Sequence, residues 1–315
     1  MTHPTITIDL DKIEHNARMI VALCREHGMC VTGVTKGTCG HPDVARAMLA
    51  GGVSAIGESR MENIHRLQAA GIHAPFVLLR LPPLSEVDDV VASVDMSLNS
   101  ELSVLAALST SATHRKRMHD VMLMIDLGYL REGIWPKDLG GFVREALRLE
   151  GIRIVGLGTN LTCFGGVVPS AENMGQLAAH ARDIERRFGL TLRLISGPNS
   201  SGLTLIAEGG MPARINHARI GEAILLGRET LHRRPWPGTF QNAFVLHAEI
   251  LELKAKPSMP VGERTEDAFG KHPAFVDRGE GARAILNVGR EDVDIEGMTP
   301  VDSRLRILGG SSDYV

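Results

Sequence analysis

With 315 residues, 34 basic against 37 acidic side chains and a net charge of −3, the chain has no basic surplus for nucleic acid or anionic lipid. Its 43% hydrophobic and 23% charged residues are ordinary for a soluble globular protein, and 4% aromatics are too few for a base-stacking surface. No apolar run reaches bilayer length, and the opening "MTHPTITIDLDK" lacks the charged n-region and apolar h-region of a signal peptide, so the expected location is the cytoplasm. Four cysteines (Cys24, Cys30, Cys39, Cys163) form no CxxC pair and read as reduced thiols, and thirteen histidines include no HExxH. Cys39 and His41 read as two polar loop residues rather than a metal pair, so no metal is expected.

In chain order, a strand "TITIDL" precedes "DKIEHNARMIVALCREHG", where Ile13, Ala17, Ile20, Val21 and Cys24 recur at helical spacing and Gly28 supplies the stop. Short apolar runs then alternate with amphipathic stretches. The runs "CVTGVT", "VSAIG", "PFVLL", "VDMSL", "DVMLMIDL", "IRIVGLG", "LRLIS" and "HARIG" read as strands. Helices are expected over 43–50, 60–70, 85–92, 100–109, 138–149, 170–188 and 200–208. Such alternation with short connections implies a parallel sheet with right-handed crossovers. Eight strands in roughly 190 residues fit a closed (β/α)8 TIM-type barrel, with a doubly wound open sheet as the alternative that counting leaves open.

The pattern changes after Gly227. "RETLHRRPWPGTFQ" is rich in breakers and positive charge and reads as a linker, while "AFVLHAEILELKA", "HPAFVDRG" and "ARAILNVG" read as strands. The expected organisation is a barrel domain over 1–227, with residues 1–10 a strand able to join the second domain, and a small C-terminal β domain over 228–315.

Two tempting motifs fail. "GVTKGT" has Lys-Gly-Thr where a phosphate loop needs Gly-Lys-Thr, and "GLGTN" lacks the third glycine of a dinucleotide fingerprint. A better signal is the set of polar residues at the carboxyl ends of the expected strands, where barrel enzymes carry their catalytic groups. Lys36 follows the first, Arg131 the fifth, Thr159 and Asn160 the sixth, and Asn199, Ser200 and Ser201 the seventh; Arg219 closes the eighth before Gly221 and Glu222. Taken singly, each has a plainer explanation, and Ser200 reads equally as a cap for the helix of 201–208. Together they have a chemical logic. A lysine with no acidic neighbour in sequence suits Schiff-base formation. The Asn-Ser-Ser and Ile-Gly-Glu turns, each opening a helix, offer N–H groups to a phosphate. An aldehyde-bearing phosphate cofactor that bonds to lysine is pyridoxal 5′-phosphate.

With these residues placed, the chain resembles the alanine racemase family of fold-type III pyridoxal-phosphate enzymes, and in particular its alanine/ornithine racemase branch. The resemblance runs through "ITIDLDKIEHN", "VTKGTCGH", "IGESRMENI", "IDLGYLREGI", "GLGTNLTCFGG", "SGPNSSG", "ARIGEAILLG", "DAFG" and "LNVGREDVD". It implies that Lys36 carries the cofactor and serves as acid/base on one face of Cα, and that Arg131 contacts the cofactor oxygen and the substrate carboxylate. Asn199 and Ser200, with the backbone at Gly221 and Glu222, match the phosphate cradle. Arg219 matches the arginine on the pyridine nitrogen, and Asn160 stands where alanine racemases carry a ring-stacking histidine.

The implied function is an amino-acid racemase, a homodimer acting on ornithine- or lysine-like substrates. The same fold type leaves two alternatives: a non-catalytic pyridoxal-phosphate carrier, whose members share a stretch like "IGESRMENI", and a decarboxylase or D-amino-acid aldolase. The late His-x-Cys metal pair of the aldolases is not found in this sequence. Two departures from the pattern stand out. The loop after Lys36 is shortened, with Cys39 before the glycine, and Phe269 stands near the place of the tyrosine that is the opposite-face base, leaving Asp267, Cys163 or His217 as substitutes. The branch also usually runs some tens of residues past "GSSDYV", so the resemblance implies a β domain without its last strands.

Overall fold

The computed structural model describes residues 4–267, 269, 270 and 272–315. Residues 1–3 of the expected first strand, and Ala268 of "TEDAFG", lie outside the described residues. The chain divides into two compact units, Asp9–Ala243 and a smaller one made of the N-terminal strand with Phe244–Val315.

In the smaller unit, β1 (Thr5–Ile8) finds its partner late in the chain. The larger unit opens with α1 (Leu10–Glu26), capped by Asp9, whose carboxylate accepts from the Lys12 N–H at 3.1 Å. The helix buries the stripe of Ile13, Ala17, Ile20, Val21 and Cys24 that its periodicity marks out, together with Asn16. Eight strands then alternate with helices. The first four units are β2 (Cys30–Val34), α2 (Pro42–Ala50), β3 (Ala55–Glu58), α3 (Met61–Ala69), β4 (Phe76–Leu78), α4 (Val87–Ser93), β5 (Met96–Asn99) and α5 (Leu102–His114). The next four are β6 (His119–Met124), α6 (Leu139–Ala146), β7 (Ile152–Gly158), α7 (Ala171–Phe188), β8 (Leu194–Ser196), α8 (Leu203–Ala207), β9 (His217–Ile220) and α9 (Glu222–Leu226). The strands form a closed parallel barrel in the order β2 through β9. β9 returns to β2 with Cys30 opposite His217 and Thr32 opposite Arg219. This closure selects the TIM-type barrel over the open sheet.

The expected helix of 100–109 extends through "STSATH" to His114. Serine and threonine are weak helix formers, but here the last turns are held by tertiary bonds: Ser109 donates to the Glu150 carbonyl and Ser111 to Asp88, the latter at 2.5 Å. The expected helix of 200–208 instead begins as a 3₁₀ turn, Ser200–Gly202, before α8. Beyond α9, the breaker-rich stretch stays with the larger unit up to Ala243. Asn16 of α1 pins it, donating to the carbonyls of Ile224 (3.0 Å) and Phe240 (2.8 Å).

The barrel lining is split. Ala55, Val77, Leu98, Met122, Met124 and Val155 form an apolar cluster, while Thr32, Ser196, His217 and Arg219 form a hydrogen-bonded polar side. A cavity near the amino ends of the strands is lined by Thr32, Ala55, Val77, Met96, Val155 and His217. The opposite, carboxyl end therefore carries the loops that hold the candidate site.

In the smaller unit, β1 pairs antiparallel with β10 (Phe244–His247), and β11 (Ile250–Pro257) pairs antiparallel with β12 (Glu280–Leu286). The run "AFVLHAEILELKA" is thus two strands with different partners. "HPAFVDRG" is not a strand: Pro273 removes a ladder donor, and Val276 remains 65% exposed, with no sheet face to cover it. Among the described residues no helix is long and apolar enough to cross a membrane.

Candidate active site

Lys36 follows the carboxyl end of β2 and opens a 3₁₀ turn, Lys36–Thr38. The residue before it is anchored: Thr35 donates through Oγ1 to the buried carboxylate of Glu58 at 2.7 Å. The second oxygen of Glu58 accepts from the Ser59 N–H and from Asn63 Nδ2, both at 3.0 Å. A carboxylate this buried is tolerated because its lone pairs are engaged. Lys36 itself is exposed, and among the described residues its ammonium has no ion-pair or hydrogen-bond partner. The loop then turns back through Cys39, at φ 50°, and Thr38 closes it by donating to the Thr35 carbonyl at 2.9 Å.

The lysine turn lies against α9, since a Cβ on Gly37 would stand 3.5 Å from Leu225 Cδ1. Gly221, between β9 and α9, is required by close approach: a Cβ there would come within 2.9 Å of the Val34 carbonyl of β2. The two strand ends that carry Lys36 and α9 are therefore in direct contact. Ser200 joins them from the next strand, its hydroxyl accepting from the Ala223 N–H in the first turn of α9 at 3.1 Å. Its hydroxyl thus serves a neighbouring helix, while Asn199 caps the local turn by accepting from the N–H and hydroxyl of Ser201, each at 2.7 Å. Glu222, the first residue of α9, is exposed.

Arg131 comes from the loop after β6. Asp126 shapes that loop by accepting through Oδ1 from the N–H groups of Gly128 (2.9 Å), Tyr129 (2.8 Å) and Leu130 (3.0 Å). Gly133 ends it at φ +140°, where a Cβ would collide with the Asp126 backbone nitrogen. On this frame the Arg131 guanidinium forms a two-point ion pair with its neighbour Glu132, donates to the Tyr129 hydroxyl at 3.1 Å, and stacks 4.9 Å from the Tyr129 ring centroid. Asn160 links this group to Arg219, with Nδ2 donating to Glu132 Oε1 at 2.5 Å and Oδ1 accepting from Arg219 Nη2 at 2.9 Å. Arg219 is buried and also donates to the Thr159 carbonyl (2.7 Å), the Ser196 carbonyl (3.3 Å) and the Ser196 hydroxyl.

The charges follow from these contacts. The Glu132 hydrogen bond keeps Arg131 protonated above its ordinary range. Burial pushes the Glu132 carboxyl up, but hydrogen bonds from Arg131 and Asn160 and the Arg131 charge outweigh it and hold it below its ordinary value. Burial pushes Arg219 down to about 10, opposed by the Glu132 charge.

His217 does not reach this mouth. Its Nδ1 bonds the Ser196 hydroxyl at 2.7 Å and its Nε2 the Thr32 hydroxyl at 2.8 Å, inside the barrel and beside the cavity at the amino ends of the strands. Burial, then the Arg219 charge, pushes it down to about 3, so both nitrogens are committed and the ring is neutral. As a substitute for the opposite-face base it is excluded. The same burial predicts an acid-labile fold. The unfolded chain takes up a proton below about pH 6.5 and the folded one does not until about pH 3, so stability is intact above 6.5 and falls as pH drops between them. The loss at pH 4 is roughly 3 kcal/mol. Thermal unfolding of the purified protein should show the decline, and a flat melting temperature from about pH 7 to 4.5 would refute it.

The structure thus brings Lys36, Ser200, Gly221 and Glu222 to one corner of the barrel mouth, and Arg131, Asn160 and Arg219 into one hydrogen-bonded group. Asp267 and Phe269 belong to the smaller unit, where Arg290 stacks 4.9 Å from the Phe269 ring. Sequence reasoning missed Glu58, Glu132, Tyr129 and Ser196. Glu58 and Glu132 stand in the quoted stretches "IGESRMENI" and "IDLGYLREGI", and their only signals are an acid at a strand end and an acid next to Arg131. Among the described residues no group of three His, Cys, Asp or Glu side chains is arranged to hold a metal.

Residues 8–229 match the profile of the alanine racemase N-terminal domain. The ornithine racemase of Acetoanaerobium sticklandii is 41% identical over 314 residues, which is 99% of this chain and 88% of that protein. The lysine racemase of Thermotoga maritima is 39% identical over 315 residues, 100% of this chain and 88% of that one. Among solved structures, the alanine racemase from D-cycloserine-producing Streptomyces lavendulae aligns with a TM-score of 0.70 over 92% of this chain and 74% of that one, at 19% identity, a likeness of fold. With a family profile across most of its length and two racemases at 41% and 39% identity, the chain belongs to the alanine racemase family and is an amino-acid racemase.

Proposed function

We propose that the protein racemises ornithine, lysine or a similar long-chain amino acid, with pyridoxal 5′-phosphate held on Lys36. The observation that carries this reading is the exposed amine of Lys36, unpaired among the described residues and presented by a braced strand end beside α9. The substrate class rests on the two relatives, one named for ornithine and one for lysine.

The residues present fit the cofactor by the chemistry of their donors. An amine free of carboxylates suits an aldehyde. The Ser200 hydroxyl and the N–H groups that open α9, at the capping Gly221 and at Glu222, suit a phosphate, and Asn199 builds the turn that presents Ser200. Arg219 is a donor for the ring nitrogen, and Asn160 stands beside it. When bound, the cofactor acts as an electron sink that acidifies the substrate Cα–H. Lys36 Nζ holds and returns the Cα proton on its own face, and Arg131 orients the substrate carboxylate through the N–H groups that Glu132 and Tyr129 leave unused. We place the protein in the cytoplasm, the location expected from its sequence pattern, and read it as a homodimer whose sites draw on both protomers, as the family resemblance implies.

The test is exchange at Cα. Protein loaded with pyridoxal phosphate is incubated with a panel of L-amino acids in deuterium oxide. Deuterium should enter Cα of ornithine and lysine, and D-enantiomer should accumulate, about tenfold or more faster than with alanine. Cofactor bound without any exchange would identify a carrier instead. Release of carbon dioxide or of an aldehyde would identify a decarboxylase or an aldolase.

A further inference from the structure

We propose that Glu132 is a positioning residue that yokes the two guanidiniums of the site, clamping Arg131 directly and reaching Arg219 through the amide of Asn160. The proposal rests on the racemase reading above and goes beyond it, because it assigns work to a residue that touches neither cofactor nor substrate in that reading.

The hydrogen-bond directions are unambiguous. Glu132 Oε1 accepts from Arg131 Nη2 and from Asn160 Nδ2, both at 2.5 Å, while Oε2 accepts from Arg131 Nε. The other end of the same amide, Asn160 Oδ1, accepts from Arg219 Nη2 at 2.9 Å. An amide has one accepting and one donating end. Reversed, it would set N–H against guanidinium and oxygen against carboxylate. The order is therefore cation, carboxylate, oriented dipole, cation, and removing the carboxylate disturbs both ends.

The pair is also costly to form, which argues that it has a task. Arg131 and Glu132 are adjacent in sequence, and their side chains meet in a loop that bends through Leu130 at φ 60° and Gly133 at φ 140°. An exposed ion pair contributes little. This one is half-buried at Glu132, bidentate, and continued by a third and a fourth partner. Three of the five N–H donors of Arg131 go to Glu132 and Tyr129, leaving one on each Nη for a ligand. Arg219 gains as well: burial pushes it down, and the Glu132 charge is what opposes that shift.

Glu132→Gln, Asn160→Asp and the double variant test the yoke. Glu132→Gln keeps shape but removes the charge. It should raise KM for the amino acid about tenfold, with a smaller change in kcat, and weaken pyridoxal-phosphate binding severalfold. Asn160→Asp sets a second carboxylate against Glu132 and should lower the melting temperature of the cofactor-free protein. In the double variant the new amide at 132 donates to the new carboxylate at 160, which still accepts from Arg219. Melting temperature should then recover and cofactor affinity return to within about threefold of wild type, while KM stays high because Arg131 has lost its clamp. If Asn160→Asp alone does not fold, recovery of folding in the double variant is the same result. A double variant no better than the worse single, or Glu132→Gln within about twofold of wild type in both KM and cofactor affinity, overturns the proposal. Melting temperature needs neither substrate nor cofactor, so it fails separately from the racemase reading.

Discussion

Lys36→Ala should remove covalent retention of pyridoxal phosphate and lower racemisation by about 10³-fold or more, while leaving the fold intact. The fold is spared because the Lys36 side chain is exposed and, among the described residues, holds nothing. The bracing of the turn runs instead through Thr35, Glu58 and Thr38, which the substitution does not touch. Exposed substitutions of this kind change stability by about 0.5 kcal/mol or less. Borohydride reduction followed by peptide mapping is the direct measurement. The wild type should carry the reduced cofactor on the peptide containing Lys36, and the variant should carry none. A lysine adduct at wild-type level in the variant would show that another amine anchors the cofactor.

Arg219→Ala, by contrast, should lose stability as well as function. Arg219 is buried, and its fork supplies hydrogen bonds to the Thr159 carbonyl, the Asn160 Oδ1 and both oxygens of Ser196. Truncation strands these acceptors in a site that water does not readily reach, at about 1–3 kcal/mol for each one left unsatisfied. Some are rescued by relaxation or by entering water, so the expected loss is about 3 kcal/mol or more in denaturant unfolding of the cofactor-free protein. Arg219→Lys should recover part of the stability and little of the function. An ammonium keeps the charge, but cannot span acceptors from β8, Thr159 and Asn160 as a planar fork does. An Arg219→Ala protein within about 1 kcal/mol of wild type would mean that the fork is not structural.

These two residues illustrate what can be read along the chain and what cannot. Both stand out in sequence as cations at the ends of apolar runs, because parallel barrel strands buried on both faces are nearly continuous hydrophobic segments. The run "IRIVGLG" coincides with β7, Ile152–Gly158. The helix of 170–188 is equally clear, since its signals are local. Ser170 and Asn173 cap each other at its start, and Gly189 ends it at φ 67°. The interaction partners are not visible in the same way. Asn160 and Arg219 are 59 positions apart, Asn160 and Glu132 are 28 apart, and Thr35 and Glu58 are 23 apart. Periodicity and capping rules reach about four residues and carry no information at those separations.

The same limit explains the errors. "HPAFVDRG" has the residues of a strand but, among the described residues, no neighbouring strand to receive it, and strand propensity without a partner is weak. His217 has the residue type of a base, yet its depth in the barrel commits both ring nitrogens and keeps it neutral. By itself, the sequence determined the alternation of strands and helices and the candidate groups at the strand ends, because both are written in nearest-neighbour chemistry. The tertiary structure decided barrel closure, the bracing of the Lys36 turn by Glu58, and the joining of Arg131 to Arg219 through Glu132 and Asn160. The physical reason is that a hydrogen bond depends on distance and direction in space, and the side-by-side order of the strands, β2 beside β3 and β6 through β9 in turn, sets both.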